Sequence, residues 1–222
     1  MPEKIEKSLT EVIYYKIKKM MLDYEIIPGQ RLIFSDLAKR LGVSRTPVNN
    51  ALSILANEGF LDFVPNQGYT VHQITKEEAE SLYEMREIME LGAIEKVIKN
   101  LSPQKIEKLE RQKILFENAV EDNLTRERFI LDQEFHVSIL DISENKYLPD
   151  YFREIYQRIF LRHRVESLRT GRAKNVISEH RQLLEAVKNR DIEEAKKMVS
   201  FHISAGREYV FTSIFNNMKD AV

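Results

Sequence analysis

Asp132 and His136 stand four residues apart, and His180 and His202 follow, 22 residues from one another. Positions i and i+4 share one face of a helix, so this pair would present a carboxylate and an imidazole side by side. One carboxylate and three imidazoles suit a borderline divalent ion, Zn2+ first, with Ni2+ and Mn2+ also matched by such donors. Four ligands leave one or two coordination positions open to a carboxylate from outside the chain. Each piece has a plainer reading too. The Asp/His pair could be a surface hydrogen bond, His180 a helix-start residue, and His202 a core histidine with its partners in place. Three of the five histidines nevertheless fall in this pattern. His72, in a strand, and His163, within Arg162-His163-Arg164, have no matching partner and stay outside it.

Arg86 lies with Leu82, Met85 and Met89 on the apolar stripe of a helix, where an unpaired charge is costly. Two readings stand: a buried salt bridge, with Asp132 or Glu134 as partner, and a clamp for a ligand carboxylate, which a guanidinium grips at two points. Arg158 and Arg162, one turn apart beside Ile155 and Ile159, are second candidates for the clamp. With a metal, these arginines would select a small organic acid. A metalloenzyme acting on a small carboxylate is the rival reading, since such a metal can activate water. No Ser, Cys or Lys nucleophile pattern accompanies the set, however, and helical geometry turns Glu134 off the Asp132/His136 face.

The rest of the chain must position these groups. It has 222 residues, 43% hydrophobic, with seven Gly and six Pro, a globular composition able to bury a core. There are no cysteines, which excludes disulfides, thiolate zinc sites and cysteine nucleophiles. No apolar run is long enough to span a membrane, and Met-Pro-Glu-Lys-Ile-Glu-Lys at the start has no apolar h-region of a secretory signal. A cytoplasmic protein is expected. The net charge is −1, and residues 1–75 carry nine Lys/Arg against eight Asp/Glu, so charge alone leaves nucleic-acid binding open.

Helical spacing of Leu9, Val12, Ile13, Ile17, Met20 and Met21 predicts a first helix capped at Ser8 or Thr10. Ile27-Pro28-Gly29-Gln30 breaks it. Ser35 is expected to cap a helix over Asp36–Leu41, with a turn at Gly42 and a further helix from Thr46-Pro47 to Gly59. Phe60–Val64 and Tyr69–His72, either side of Pro65-Asn66-Gln67-Gly68, read as a β-hairpin. Three helices and a hairpin make a winged helix-turn-helix over residues 1–74, a unit that sets its second helix in the major groove of DNA. Thr75 and Glu78 form a capping box. From there no strand signal appears, and residues 75–222 read as about six helices: a helix to Asn100, one opened by Ser102-Pro103, Arg128–Ile142, Ser178–Lys188 and a last one carrying His202. The expected fold is mainly α, with an antiparallel helical bundle behind the winged unit.

In the helix after Pro47, Val48, Ala51, Leu52 and Leu55 form the inner stripe, while Thr46, Asn49, Asn50, Ser53 and Asn57 form the outer one. The outer stripe is either a solvated face or a base-reading one. Asn bonds bidentately to adenine, and Ser and Thr meet several bases. Arg45 and the free N–H groups at the helix start suit phosphates.

Pro28-Gly29-Gln30-Arg31-Leu32, Leu37-Ala38, Leu41-Gly42-Val43-Ser44-Arg45-Thr46-Pro47-Val48 and Leu52-x-x-Leu55-x-x-Glu58-Gly59-Phe60-Leu61 together resemble the GntR family of bacterial transcription regulators over the first third of the chain. Members commonly carry Arg-Glu after Ser-Arg-Thr-Pro-Val. Here Asn49-Asn50 replaces that pair, which removes an Arg contact and shifts the expected base preference toward A·T pairs. With Arg31, Ser44 and the wing-tip Gly68 added from the resemblance, the DNA-contacting set is Arg31, Ser44, Arg45, Thr46, Asn49, Asn50, Ser53 and Gly68.

Residues 76–215 resemble the FCD ligand-sensing domain of the FadR subfamily. That resemblance implies metal ligands at Asp132, His136, His180 and His202, and a ligand-contacting Arg within Tyr83-Glu84-Met85-Arg86-Glu87. It leaves Arg158, Arg162 and Asn145, in the loop after the first ligand pair, as further effector contacts. The implied function is a regulator, expected to be a repressor. It would be a homodimer on a pseudo-palindromic operator, with DNA affinity set by a small organic acid at the metal.

Overall fold

The computed structural model describes residues 8–122, 125–161 and 170–215. These residues fall into two compact units that part between Ile74 and Thr75.

In the first unit, α1 (Leu9–Leu22) opens on a reciprocal cap in which Ser8 Oγ accepts from Glu11 N–H and the Glu11 carboxylate accepts from Ser8 N–H. Such a cap satisfies two donors that helix geometry leaves orphaned. α2 (Phe34–Leu41) ends at Gly42, whose left-handed φ of 68° turns the chain into α3 (Arg45–Asn57). β1 (Arg31–Leu32), β2 (Leu61–Val64) and β3 (Gly68–Val71) make one antiparallel sheet in the order β1-β3-β2. The hairpin is thus joined by a third strand that the sequence does not announce. Two residues are too few to show alternation, and Arg31-Leu32 is extended because β3 offers it an edge. α2 also starts earlier than Ser35 would set it: the capping position is Ile33, and no side chain caps the helix. Ile13 and Ile17 of α1, Val48, Leu52 and Leu55 of α3, and Phe60 are fully buried at the centre. That burial holds α3 with its other face outward.

The second unit holds α4 (Lys76–Lys99), α5 (Pro103–Glu121), α6 (Thr125–Ile142), α7 (Leu148–Leu161), α8 (Thr170–Lys188) and α9 (Ile192–Val210), then one π-helical turn, Phe211–Phe215. Thr75 with Glu78, Ser102 with Pro103 behind it, and Asp191 cap α4, α5 and α9. α5 lies along α6 and α8, and α9 packs on both α4 and α8. α8 begins at Thr170 rather than Ser178, two turns early, and α6 begins at Thr125 rather than Arg128. The extra turns of α8 carry Arg172. Among the described residues no helix is long and apolar enough to cross a membrane.

Candidate metal centre and nucleic-acid interface

α6 brings Asp132 and His136 to one face, α8 brings His180, and α9 brings His202. One donor atom from each lies within 4.8 Å of all the others. All four are buried. The set expected from donor chemistry and the FCD resemblance therefore meets in one place, in the interior of the helical unit.

The rings are held from behind. His136 Nδ1 lies 2.6 Å from Glu90 Oε2, and His202 Nδ1 lies 2.8 Å from Glu179 Oε2. An ionised carboxylate only accepts, so in each ring Nδ1 carries the proton and donates. Arg86 Nη2 lies 3.1 Å from His136 Nε2, and a guanidinium only donates. His136 is then neutral with its Nε2 lone pair turned inward, and that atom stands 3.1 Å from His202 Nε2. His180 Nε2 is 3.1 Å from Asp132 Oδ1 but out of hydrogen-bond alignment, and both His180 ring nitrogens lack a hydrogen-bond partner. Packing fixes this ring instead, stacked on Phe135 at 4.1 Å between centroids. Asp132 Oδ2 accepts from Tyr156 Oη at 2.5 Å. Three imidazoles and a carboxylate thus meet at one small volume, and both ring nitrogens of His180 are buried without a hydrogen-bond partner. That fits a divalent cation, the ion such donors bind. Donors bonded at about 2.1 Å can stand no more than about 4.2 Å apart, so the widest pair would close slightly around it.

Protonation favours the same outcome. Burial would raise the Glu90 carboxyl, but His136 and Arg86 outweigh it and hold it down at about 2. Glu179 is likewise pushed up by burial, then pulled down to about 2 by His202 and Arg172. Burial lowers His202 to about 3 and also lowers His180. Burial opposes the Asp132 charge, yet the His180 ring and the other imidazoles keep its pKa well below the usual range. Neutral imidazoles and ionised carboxylates are the states that metal ligation requires.

Arg86 is buried, but its ion-pair partner is neither Asp132 nor Glu134: its Nε donates to Glu90 Oε1 at 2.7 Å. Glu134 pairs instead with Arg153 at 3.2 Å. The other edge of the Arg86 guanidinium is hydrogen-bonded to His136 and lines a cavity of about 70 Å3 that Asp132 and His202 also line. Arg128 and Arg172 also line it, with Phe116, Phe129 and Val176. Arg172 is itself bound to both oxygens of Glu179. Arg158, by contrast, pairs with Glu154 one turn earlier and is absent from that wall. Asn145 shapes the approach to α7, its Oδ1 accepting from Tyr147 N–H at 3.1 Å. Arg162 and His163 lie outside the described residues.

Sequence reasoning missed Glu90, Glu179, Tyr156, Arg128 and Arg172. Glu90 had a signal, since it shares the inner stripe of α4 with Arg86 four residues before it. Arg172 and Glu179 share a face only once α8 is known to start at Thr170.

On the winged unit, α3 buries Pro47, Val48, Ala51, Leu52 and Leu55 and leaves Thr46, Asn49, Asn50 and Asn57 exposed, with Ser53 half-buried. Ser44 stands at the capping position without a side-chain cap bond, and Arg45 is exposed on the first turn. Arg31 Nε donates to Gln67 O at 2.9 Å, which ties β1 to the wing turn. Gly68, at φ +88°, closes that turn. His72 pairs with Asp62 within the wing, at 2.8 Å.

Residues 9–71 match the family of bacterial regulatory proteins called gntR, and residues 81–205 match the FCD domain. The chain is 29% identical over 198 residues to an uncharacterized HTH-type transcriptional regulator, YdhC, of Bacillus subtilis, covering 89% of this chain and 88% of that protein. Among solved structures it resembles E. coli McbR/YncC, with a TM-score of 0.79 at 25% identity over 93% of this chain and 98% of that one. A regulator from Rhodococcus sp. RHA1 shares the fold, with a TM-score of 0.81 at 17% identity over 93% and 99% of the two chains. These are names of transcription regulators, not of enzymes, and the metalloenzyme reading falls with them.

Proposed function

The chain belongs to the gntR family of bacterial regulatory proteins, in the FadR-like branch with an FCD domain, and we propose that it is an operator-bound repressor released by a small organic acid. The observation that carries this reading is the buried set of three imidazoles and a carboxylate beside Arg86, Arg128 and Arg172. Asp132, His136, His180 and His202 would hold the divalent ion, with Zn2+ the first choice and Ni2+ or Mn2+ the alternatives. Bound there, the ion supplies positive charge and an open coordination position for one effector oxygen. Arg86 presents its guanidinium edge to the same carboxylate. A cavity of about 70 Å3 holds roughly five to seven water-sized groups at roughly 10–15 Å3 each. The effector is therefore small. It acts by binding one arrangement of a two-subunit protein better than the other, which is all that coupling to DNA requires.

On the DNA side, Asn49, Asn50, Thr46 and Ser53 read base edges, and Arg31, Ser44, Arg45 and the Gly68 turn meet the backbone. Two subunits address a pseudo-palindrome, with their recognition helices about one DNA turn apart. Asn49→Ala should weaken binding to a duplex selected from a random library by about 1–3 kcal/mol, the worth of a bidentate base contact. Binding to unselected duplex should hardly change, because Asn neutralises no phosphate. Arg45→Ala should weaken both and lower the salt slope by about one unit. Fluorescence anisotropy across a salt series measures each of these quantities. Equal loss on both duplexes for Asn49→Ala would remove it from base reading.

Glu179→Gln keeps an acceptor for His202 Nδ1–H but removes the charge that makes the ring a better ligand. Competition with a chelator should show about 10- to 100-fold weaker Zn2+ binding, the usual effect of losing such an outer partner. Unchanged affinity would confine Glu179 to its ion pair with Arg172.

A further inference from the structure

The cavity beside the four ligands changes character along its length. On α9, Gly206 follows His202 by one turn and Val210 by two, and all three line it. Each four residues of helix advance about 6 Å. α8 and α9 are joined by three residues and so run in opposite directions. Val176 and Ala173, which precede His180 by one and two turns, therefore stand at the levels of Gly206 and Val210, and both line the cavity too. Phe116, Phe129 and Phe160 add to this apolar wall. Charge gathers at the inner end. Arg86 is bonded to His136, and Arg172 binds Glu179 and reaches the His202 carbonyl at 3.4 Å. Arg128 lies against the Phe129 ring, its guanidinium 5.3 Å from the ring centre.

Gly206 sits inside a 19-residue helix, where glycine is the least favourable residue after proline. Its φ is not left-handed, so the backbone does not require glycine. A Cβ there would meet nothing within 4 Å, so packing within the chain does not require it either. The room it leaves adjoins the cavity. We propose that this room takes the tail of the effector, and that the effector is a monocarboxylic acid with a short apolar tail. Its carboxylate lies at the Arg86 end, and its tail runs along α9 over Gly206 toward Val210. At roughly 10–15 Å3 for each water-sized group, about 70 Å3 suits an acid of about four or five carbons. The inference rests on the effector reading given above and adds the class of acid and the residue that limits its length.

Isothermal titration of the full, Zn2+-loaded chain with acetate, butyrate and succinate reads the tail. Butyrate should bind roughly tenfold more tightly than acetate, because two more methylenes are buried. Succinate has the same carbon chain but ends in a second charge, and should bind at least roughly tenfold more weakly than butyrate. Without any acid, Gly206→Ala should melt no lower than the parent and keep its Zn2+ affinity in competition with a chelator. It should also keep its acetate affinity while losing most of the gain from butyrate, and Gly206→Val should lose all of that gain. A Gly206→Ala protein that melts below the parent, or binds Zn2+ more weakly, assigns the glycine to packing and overturns its role at the tail. Variants that bind butyrate as tightly as the parent overturn that role as well. Succinate binding more tightly than butyrate overturns the apolar tail. In each of these cases the effector reading stands. A Zn2+-loaded parent that binds none of the three acids at millimolar concentration overturns the effector reading and this inference with it.

Discussion

His202→Ala should abolish divalent-metal binding by the purified protein and lower the melting temperature of the helical unit by roughly 10 °C. His202 reaches the cluster from α9, while Asp132 and His136 come from α6 and His180 from α8, so a bound ion would tie together three helices that packing and hydrogen bonds such as Glu179–His202 otherwise join. Metal that binds only the folded state adds about 4 kcal/mol of stability at a thousand times its dissociation constant. At about 2–4 °C per kcal/mol for a unit of this size, losing that linkage gives the expected drop. Two comparisons isolate it. The difference between parent and variant should be large with Zn2+ present and should shrink once both are stripped with a chelator. The winged unit, which shares none of the four ligands, should keep its own transition. Elemental analysis showing full occupancy in His202→Ala would refute the assignment, and an equal drop with and without metal would make His202 a packing residue only.

Asp132 and His136 were legible because four residues on a helix is a distance in space, and both ends of it carried donor chemistry. His180 and His202 were picked out mainly by the resemblance to the FCD domain, since spacing alone ties neither to the Asp132/His136 pair. The outer carboxylates were not. Glu90 shares a face with Arg86 four residues before it, while Glu84 and Glu87 do not, but spacing alone cannot rank Glu90 above a distant Asp132 or Glu134. The choice is made by burial, which turns Glu90 inward and leaves Glu84 in solvent. Arg158 sits beside Ile155 and Ile159, and in the structure it pairs with Glu154 one turn before it, a local partner that spacing alone does not single out. In the winged unit the turn at Gly42, the stripe of α3 and the hairpin were all local signals. The two-residue β1 was not, because its pairing is with β3, far along the chain.

Arg86→Lys should separate the clamp from the structural ion pair. Arg86 does two things at once: Nε holds Glu90, while Nη2 faces His136 and the cavity. Its guanidinium also lies 5.6 Å from the Phe152 ring and 5.4 Å from the Tyr156 ring, inside the range where a buried cation gains from an aromatic face. Removing it outright, as in Arg86→Ala, strands the Glu90 carboxylate in the interior, at about 3–5 kcal/mol. That variant should be visibly unstable before any ligand is added. Lysine keeps a charge for Glu90 but offers one compact donor group, which cannot grip a carboxylate in the same plane while still engaging Glu90. Metal-loaded, effector-free Arg86→Lys should therefore melt within a few degrees of the parent and retain its affinity for selected DNA. Its affinity for an acid that raises the parent's melting temperature in a screen of organic acids should fall at least tenfold, about 1.4 kcal/mol. Isothermal titration with that acid reads the loss directly. If effector-free Arg86→Lys melts far below the parent, the guanidinium is needed for Glu90 alone, and the carboxylate of the effector must be held by the metal with Arg128 or Arg172.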